Sequence, residues 1–155
     1  MAAAGADELQ LGLIRLHPAA RWPGRRFGGV SYNLSSVIDV TIQPLAKAIV
    51  PIGWSFQFPP TIWGSIVSKY SIAAESHAIV AGGVIDPQYM GEIKVIIFNL
   101  SPSHRYRIRV GDVIAQLVFH QTCTPSFREI LAERARVSST ENVLRGVAGF
   151  GSTGN

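Results

Sequence analysis

Short β-prone runs cut by proline and glycine constrain this chain more than any other feature. Ala46 to Ile52, Trp54 to Phe58 and Ile62 to Val67 are rich in β-branched and aromatic residues, and Pro51, Gly53, Pro59 and Pro60 punctuate them. Ala78 to Ala81 and Ile93 to Phe98 continue the series, and Arg105 to Val110 alternates with one basic face. A pleated surface favours such residues, while proline cannot donate to a ladder. Many short strands with Gly/Pro turns predict an all-β sandwich or barrel. The strand–helix alternation of a parallel sheet is absent.

The rest of the chain fits one domain. At 155 residues it can bury a core without disulfide staples. Cys123 is the only cysteine, which excludes an intrachain disulfide and a Cys-rich metal site. His17, His77, His104 and His120 lack zinc-ligand spacing. No apolar run reaches membrane-span length, and residues 1–8 read as a loose terminus without the pattern of a secretory signal. An intracellular home, cytoplasmic or nuclear, is expected. The net charge of +4 suits nucleic acid or an anionic small molecule. The basic residues are dispersed except from Arg21 to Arg26, and no aromatic-interleaved basic strip exists. No stable nucleic-acid or membrane partner is therefore expected, and a polyphosphate explains the charge as well as DNA would.

In order, Leu9 to Leu16 reads as a first strand, whose leucines also resemble a nuclear export signal. His17 to Gly29 reads as a surface loop, and Trp63 to Ile72 as a strand leading into a turn. Ser101 to His104 and Gly111-Asp112 read as turns, the latter opening a strand from Val113 to Phe119. Pro125 to Val137 predicts a turn or two of helix or an irregular linker, followed by a polar hinge and a Gly/Ser/Thr tail. Gly83 to Asn99 reads as a hairpin or tight connection. Asp86-Pro87 and Gly91 supply its turn, with Asp86 and Tyr89 at the tip. An acid beside an apolar run is, taken alone, commonly just a turn residue.

It does not stand alone. Gly83-Val-Ile-Asp-Pro-Gln-Tyr-Met-Gly-Glu92 resembles the third signature motif of the trimeric dUTP diphosphatases (dUTPases). Gly111-Asp-Val-Ile-Ala-Gln-Leu-Val118 resembles the fourth motif and Arg145-Gly-Val-Ala-Gly-Phe-Gly-Ser-Thr-Gly154 the fifth. Val30-Ser-Tyr-Asn-Leu-Ser-Ser-Val37 resembles the first, and Trp63 to Ile72 occupies the place of the second. The resemblance runs from about Leu11 to Gly154. It implies a distorted, barrel-like β jelly-roll over 1–144 and a mobile arm over 145–155 exchanged between subunits of a homotrimer. The implied reaction is dUTP plus water giving dUMP and pyrophosphate, with Mg²⁺. That reaction keeps uracil out of DNA and supplies dUMP. Compact size and divergent motifs suit a viral enzyme.

The resemblance also assigns roles. Asp86 orients and deprotonates the water. Tyr89 packs on the deoxyribose and leaves no room for a 2′-hydroxyl. Backbone groups of the hairpin read uracil, with Gly83 allowing the close approach. Lys69, Tyr70 and Ser71 stand at the phosphate-binding positions, and Gln116 reaches the phosphate–metal shell through water. In the arm, Arg145 grips a terminal phosphate, Phe150 stacks on uracil, and Gly151, Ser152 and Thr153 donate to phosphate oxygens. No residue ligates the metal directly; Asn33 and Gln116 are its outer-shell partners.

Three positions depart from the family pattern. Asn33 stands where the family has Asp, Lys69 where it has Arg, and Tyr70 where it has Ser. The runner-up reading is a weak or inactive dUTPase-like module that binds nucleotide or a protein. A dCTP deaminase of related fold and a nucleic-acid-binding β domain follow behind it.

Overall fold

The structure, a computed structural model, describes residues 9–131. Twelve strands and one short helix follow in order. They are β1 (Gly12–Arg15), β2 (Gly24–Arg25), β3 (Ser31–Ser35), β4 (Val40–Ile42), β5 (Lys47–Pro51), β6 (Trp54–Gln57), β7 (Ile62–Val67), α1 (Tyr70–Ser76), β8 (Ala78–Ala81), β9 (Val84–Ile85), β10 (Lys94–Asn99), β11 (Tyr106–Ile108) and β12 (Val113–Gln121). The expected all-β character holds, and β7 occupies the run read from the sequence.

Every strand pairing is antiparallel. The largest sheet has the order β2-β3-β12-β7-β9, and a second runs β5-β10-β8. The pairs β1-β6 and β11-β4 complete a distorted jelly-roll, with no closed barrel among the described residues. Alternation decides which side chains face inward. On β10, Val95, Ile97 and Asn99 are buried while Lys94 is exposed. On β7, Ile62, Gly64 and Ile66 are buried. Val95, Ile97, Ile62 and Ile66 join Leu34, Val50, Ile52, Trp54, Phe56, Phe58, Ile114 and Leu117 in one core.

A buried polar clamp closes one end of the core. Asn99 Nδ2 donates to the carbonyls of Ile42 (3.1 Å), Gln43 (3.2 Å) and His104 (2.8 Å), and Oδ1 accepts from Ser101 N at 3.1 Å. Its two amide hydrogens are shared among the three carbonyls, so one side chain serves backbone groups of two segments, the end of β4 and the β10–β11 turn, that would otherwise be costly to bury. The turn read at Ser101 to His104 is real: Ser101 Oγ accepts from His104 N at 2.9 Å. Nearby, half-burial pushes the Tyr106 phenol up, and the Asp112 carboxylate adds to that shift.

The helix corrects the reading of Trp63 to Ile72 as strand and turn. Tyr70 to Ser76 contains Ala73 and Ala74, strong helix formers, and Ala73 N donates to Lys69 O at 3.0 Å. His77 ends it in the left-handed region at φ 54°. No helix among the described residues is long and apolar enough to cross a membrane.

The chain divides into two units after Cys123. In the second, residues 124–131 carry no helix or strand, and Phe127, Ile130 and Leu131 are exposed. The rest of the expected helix or linker, the polar hinge and the arm residues Arg145, Phe150, Gly151, Ser152 and Thr153 lie outside the described residues.

Candidate active site

The third-motif segment forms a tight turn between β9 and β10. Pro87 fixes the first corner position, and Gln88 adopts φ 63° at the second. Tyr89 N donates back to Asp86 O at 3.3 Å, so the acid and the phenol stand at the two ends of one turn. Gly91 makes room for the Tyr89 ring, because a Cβ there would collide with the phenol. Asp86, Tyr89, Glu92 and Lys94 line a cavity of about 380 Å³ with Ile49, Ile93 and Ile96. Lys94 Nζ lies 4.0 Å from Glu92 Oε2. Asp86 is exposed, and its carboxylate has no hydrogen-bond partner among the described residues.

Gly83 sits at the base of this segment, outside the cavity lining. Its lack of a side chain admits the backbone of β7: Ile66 N donates to Gly83 O at 2.7 Å, and a Cβ on Gly83 would run into the Ile66 carbonyl.

A second cavity, about 390 Å³, gathers residues from four separate stretches. Asn33 comes from β3, Gln116 from β12, Lys69 and Ser71 from the start of α1, and Arg26 and Gly29 from the loop before β3. Tyr70 and Ser31 complete the lining. Asn33 and Gln116 are direct cross-strand partners, and Gln116 Nε2 approaches Asn33 Oδ1 at 3.4 Å. Lys69 is half-buried, whereas Tyr70 is 87% exposed and crowds nothing among the described residues. Ser68, next to them, accepts Val80 N on its hydroxyl at 2.8 Å and ties this corner to β8. Arg26 was not singled out by the motifs. Its only sequence signal is the basic cluster from Arg21 to Arg26 just ahead of the first motif.

The two cavities share no lining residue. Asp86, Glu92 and Lys94 give the first a net negative lining, whereas Arg26 and Lys69 make the second cationic, with no carboxylate among the described residues. Among the described residues, no group of three or more His, Cys, Asp or Glu side chains is arranged to hold a metal ion. Asp112 is a turn residue as read: its Oδ2 accepts Arg109 N at 2.9 Å.

A family model described as dUTPase matches residues 22–154. The chain belongs to the dUTPase family. It is 38% identical over 148 residues to the deoxyuridine 5′-triphosphate nucleotidohydrolase of Fowl adenovirus A serotype 1, covering 95% of this chain and 79% of that protein. It is 36% identical over 152 residues to the enzyme of the same name from Rhodococcus erythropolis, covering 96% and 88%. The fold is likewise that of the Staphylococcus bacteriophage 80alpha dUTPase solved with dUPNHPP. That likeness has a TM-score of 0.79 at 25% identity, over 94% of this chain and 99% of that one. A mutant of the dUTPase from phage phi11 of S. aureus, 22% identical with a TM-score of 0.73 over 79% of this chain and 97% of that one, reveals the coordination of a structural Mg(II) ion in that protein.

Proposed function

We propose that this dUTPase-family chain hydrolyses dUTP to dUMP and pyrophosphate, with Mg²⁺, in sites completed between the subunits of a homotrimer. The observation that carries the reading is the split of the motif residues into two complementary half-sites. Water activation belongs to the negative cavity, and triphosphate binding to the cationic one. Neither cavity alone holds both halves of the chemistry, so a second copy supplies what the first lacks.

The outer face of the β5-β10-β8 sheet supports assembly. Ile49 pairs with Ile96, and Phe98 pairs with Ile79, which puts four large apolar side chains on one side. Ile49 is 58% exposed. Ile49 and Ile96 also border the Asp86 cavity, so a neighbour covering this face would close the site as well as bury apolar surface.

In the reaction, Asp86 holds a water and takes its proton while the water oxygen bonds to phosphorus and the bond to pyrophosphate breaks. Tyr89 packs on the deoxyribose, and hairpin backbone beyond Gly83 reads uracil. Lys69, Ser71 and Tyr70 hold phosphate oxygens, joined by the arm's Arg145, Gly151, Ser152 and Thr153, while Phe150 covers the base. The neutral Asn33 and Gln116 fit a magnesium ion that arrives with the triphosphate and touches the protein through water, as Mg²⁺ does when it keeps much of its hydration shell. Bound there, the ion would neutralise phosphate charge. The exposed free thiol of Cys123 fits a reducing intracellular compartment, cytoplasmic or nuclear.

Pyrophosphate release from dUTP, dTTP, dCTP and UTP, each with and without Mg²⁺, tests the reading. Turnover of dUTP alone, dependent on Mg²⁺, is expected. Tight dUTP binding without turnover would favour an inactive nucleotide-binding module, and ammonia from dCTP would favour a deaminase.

A further inference from the structure

We propose that Arg26 is a phosphate-binding residue, supplying the guanidinium fork that this chain lacks at Lys69; the assignment rests on the reading of the cationic cavity as the triphosphate half-site. Arg26 lines that cavity together with Lys69, Ser71 and Gln116. Its loop is held beside β3 by the β2–β3 pairing, Gly24 opposite Asn33 and Arg25 opposite Tyr32, and is closed by two internal contacts. Gly29 N donates to Arg26 O at 2.9 Å, and Arg25 Nη1 donates to Gly29 O at 2.9 Å. The neighbouring Arg25 is also committed over the Tyr32 ring, 5.7 Å from its centroid. Arg26 differs: among the described residues its guanidinium has no hydrogen-bond or ion-pair partner. A solvated surface arginine would look the same in isolation. This one, however, shares a concavity, carboxylate-free among the described residues, with a second cation and five neutral side chains able to donate, Ser31, Asn33, Tyr70, Ser71 and Gln116.

That donor set selects the ligand class. Two cations with no balancing carboxylate favour a multiply charged anion, and a planar fork grips two phosphate oxygens where an ammonium acts as a point charge. The chemistry is that of a pyrophosphate or triphosphate chain. Lys69 and Arg26 together then restore the charge and the fork, from two separate segments of the chain.

The test uses full-length Arg26→Ala, Arg26→Lys and Arg26→Ala/Lys69→Arg, with Arg107→Ala as a control on another face. Binding of inorganic tripolyphosphate is measured by calorimetry and dUTP turnover at steady state. Arg26→Ala is expected to weaken tripolyphosphate binding and raise KM by about tenfold, the scale of one charge-assisted contact, with a smaller change in kcat. Arg26→Lys recovers part of the loss, and Lys69→Arg recovers more, while Arg107→Ala changes neither. Arg26 is exposed, so the melting temperature stays unchanged. Wild-type behaviour of Arg26→Ala in both assays, or no tripolyphosphate binding by the wild type, overturns the assignment. If the wild type binds tripolyphosphate through Arg26 yet never turns over dUTP, Arg26 stands and the hydrolase reading falls.

Discussion

Ile66 and Gly83 meet backbone to backbone: the Ile66 N–H donates to the Gly83 carbonyl at 2.7 Å, and the Ile66 carbonyl fills the space a Gly83 side chain would need. This contact fixes where the segment leading to Asp86 and Tyr89 joins β7, one residue before Val84 pairs with Ser65. Gly83→Ala forces the two backbones apart and should cost roughly 2 kcal/mol or more, as overpacking does. Gly24→Ala, where a Cβ meets nothing within 4 Å, is the control and should be nearly neutral. Thermal melts of both variants decide the matter; equal melting temperatures would show that the contact can relax.

Asp86 is tied to its turn through its carbonyl, which accepts from Tyr89 N, while its carboxylate stays free for water. Asp86→Asn should therefore leave folding, assembly and dUTP binding intact. Turnover should fall by about 10²–10⁴-fold, the usual loss on removing a general base. A variant as fast as the wild type would take Asp86 out of the mechanism.

Assembly has its own readout. Light scattering should report about three times the 16.8 kDa chain mass. Ile49→Lys, placing a charge on the apolar outer face of β5, should shift the population toward smaller species. A wild-type monomer at micromolar concentration would rule out the trimer and the shared site with it.

The strands were legible as β-branched and aromatic runs cut by proline and glycine. The buried face of β10 was not, because Val95, Ile96, Ile97 and Phe98 are all apolar and only the sheet shows that Val95 and Ile97 face inward. Helix α1 escaped because its seven residues make fewer than two turns, too few to show a helical period. Asn99 reads locally as the end of a strand, yet its role is set by the Ile42 carbonyl 57 residues away. The site divides the same way. Asp86 and Tyr89 were readable together, since one turn carries both. The pairing of Gln116 with Asn33 spans 83 residues, and the placing of Arg26 beside Lys69 depends on the same long-range sheet.

Truncation tests the arm. Ending the chain after Leu144 deletes Arg145 and Phe150 together with the glycine-rich donors Gly151, Ser152 and Thr153. By composition the stretch has almost no core-forming residues except Phe150. The truncated protein should melt like the full chain and lose most of its dUTP turnover. Full activity would contradict a role in catalysis, and failure to fold would make the arm structural.

The unusual second motif provides the last test. Lys69→Arg with Tyr70→Ser restores the family residues at both places. If Lys69 and Tyr70 were merely a degraded motif, turnover should rise steeply. The structure argues for adaptation instead. Ser68 is built into the fold through Val80 N, Lys69 O starts helix α1, and Ser71 supplies a hydroxyl to the cavity next to Tyr70. Arg26 already brings a fork to the same cavity, so a second one at 69 adds little. Tyr70 is 87% exposed, and its loss opens no hole in the chain. The double variant should fold normally and gain less than about tenfold in steady-state pyrophosphate release, or about 1.4 kcal/mol in the barrier. Asn33→Asp, tested separately, should tighten the Mg²⁺ requirement by returning a carboxylate to the outer shell. A gain above tenfold at 69 and 70 would mean that the segment has decayed and that Arg26 does not compensate for it.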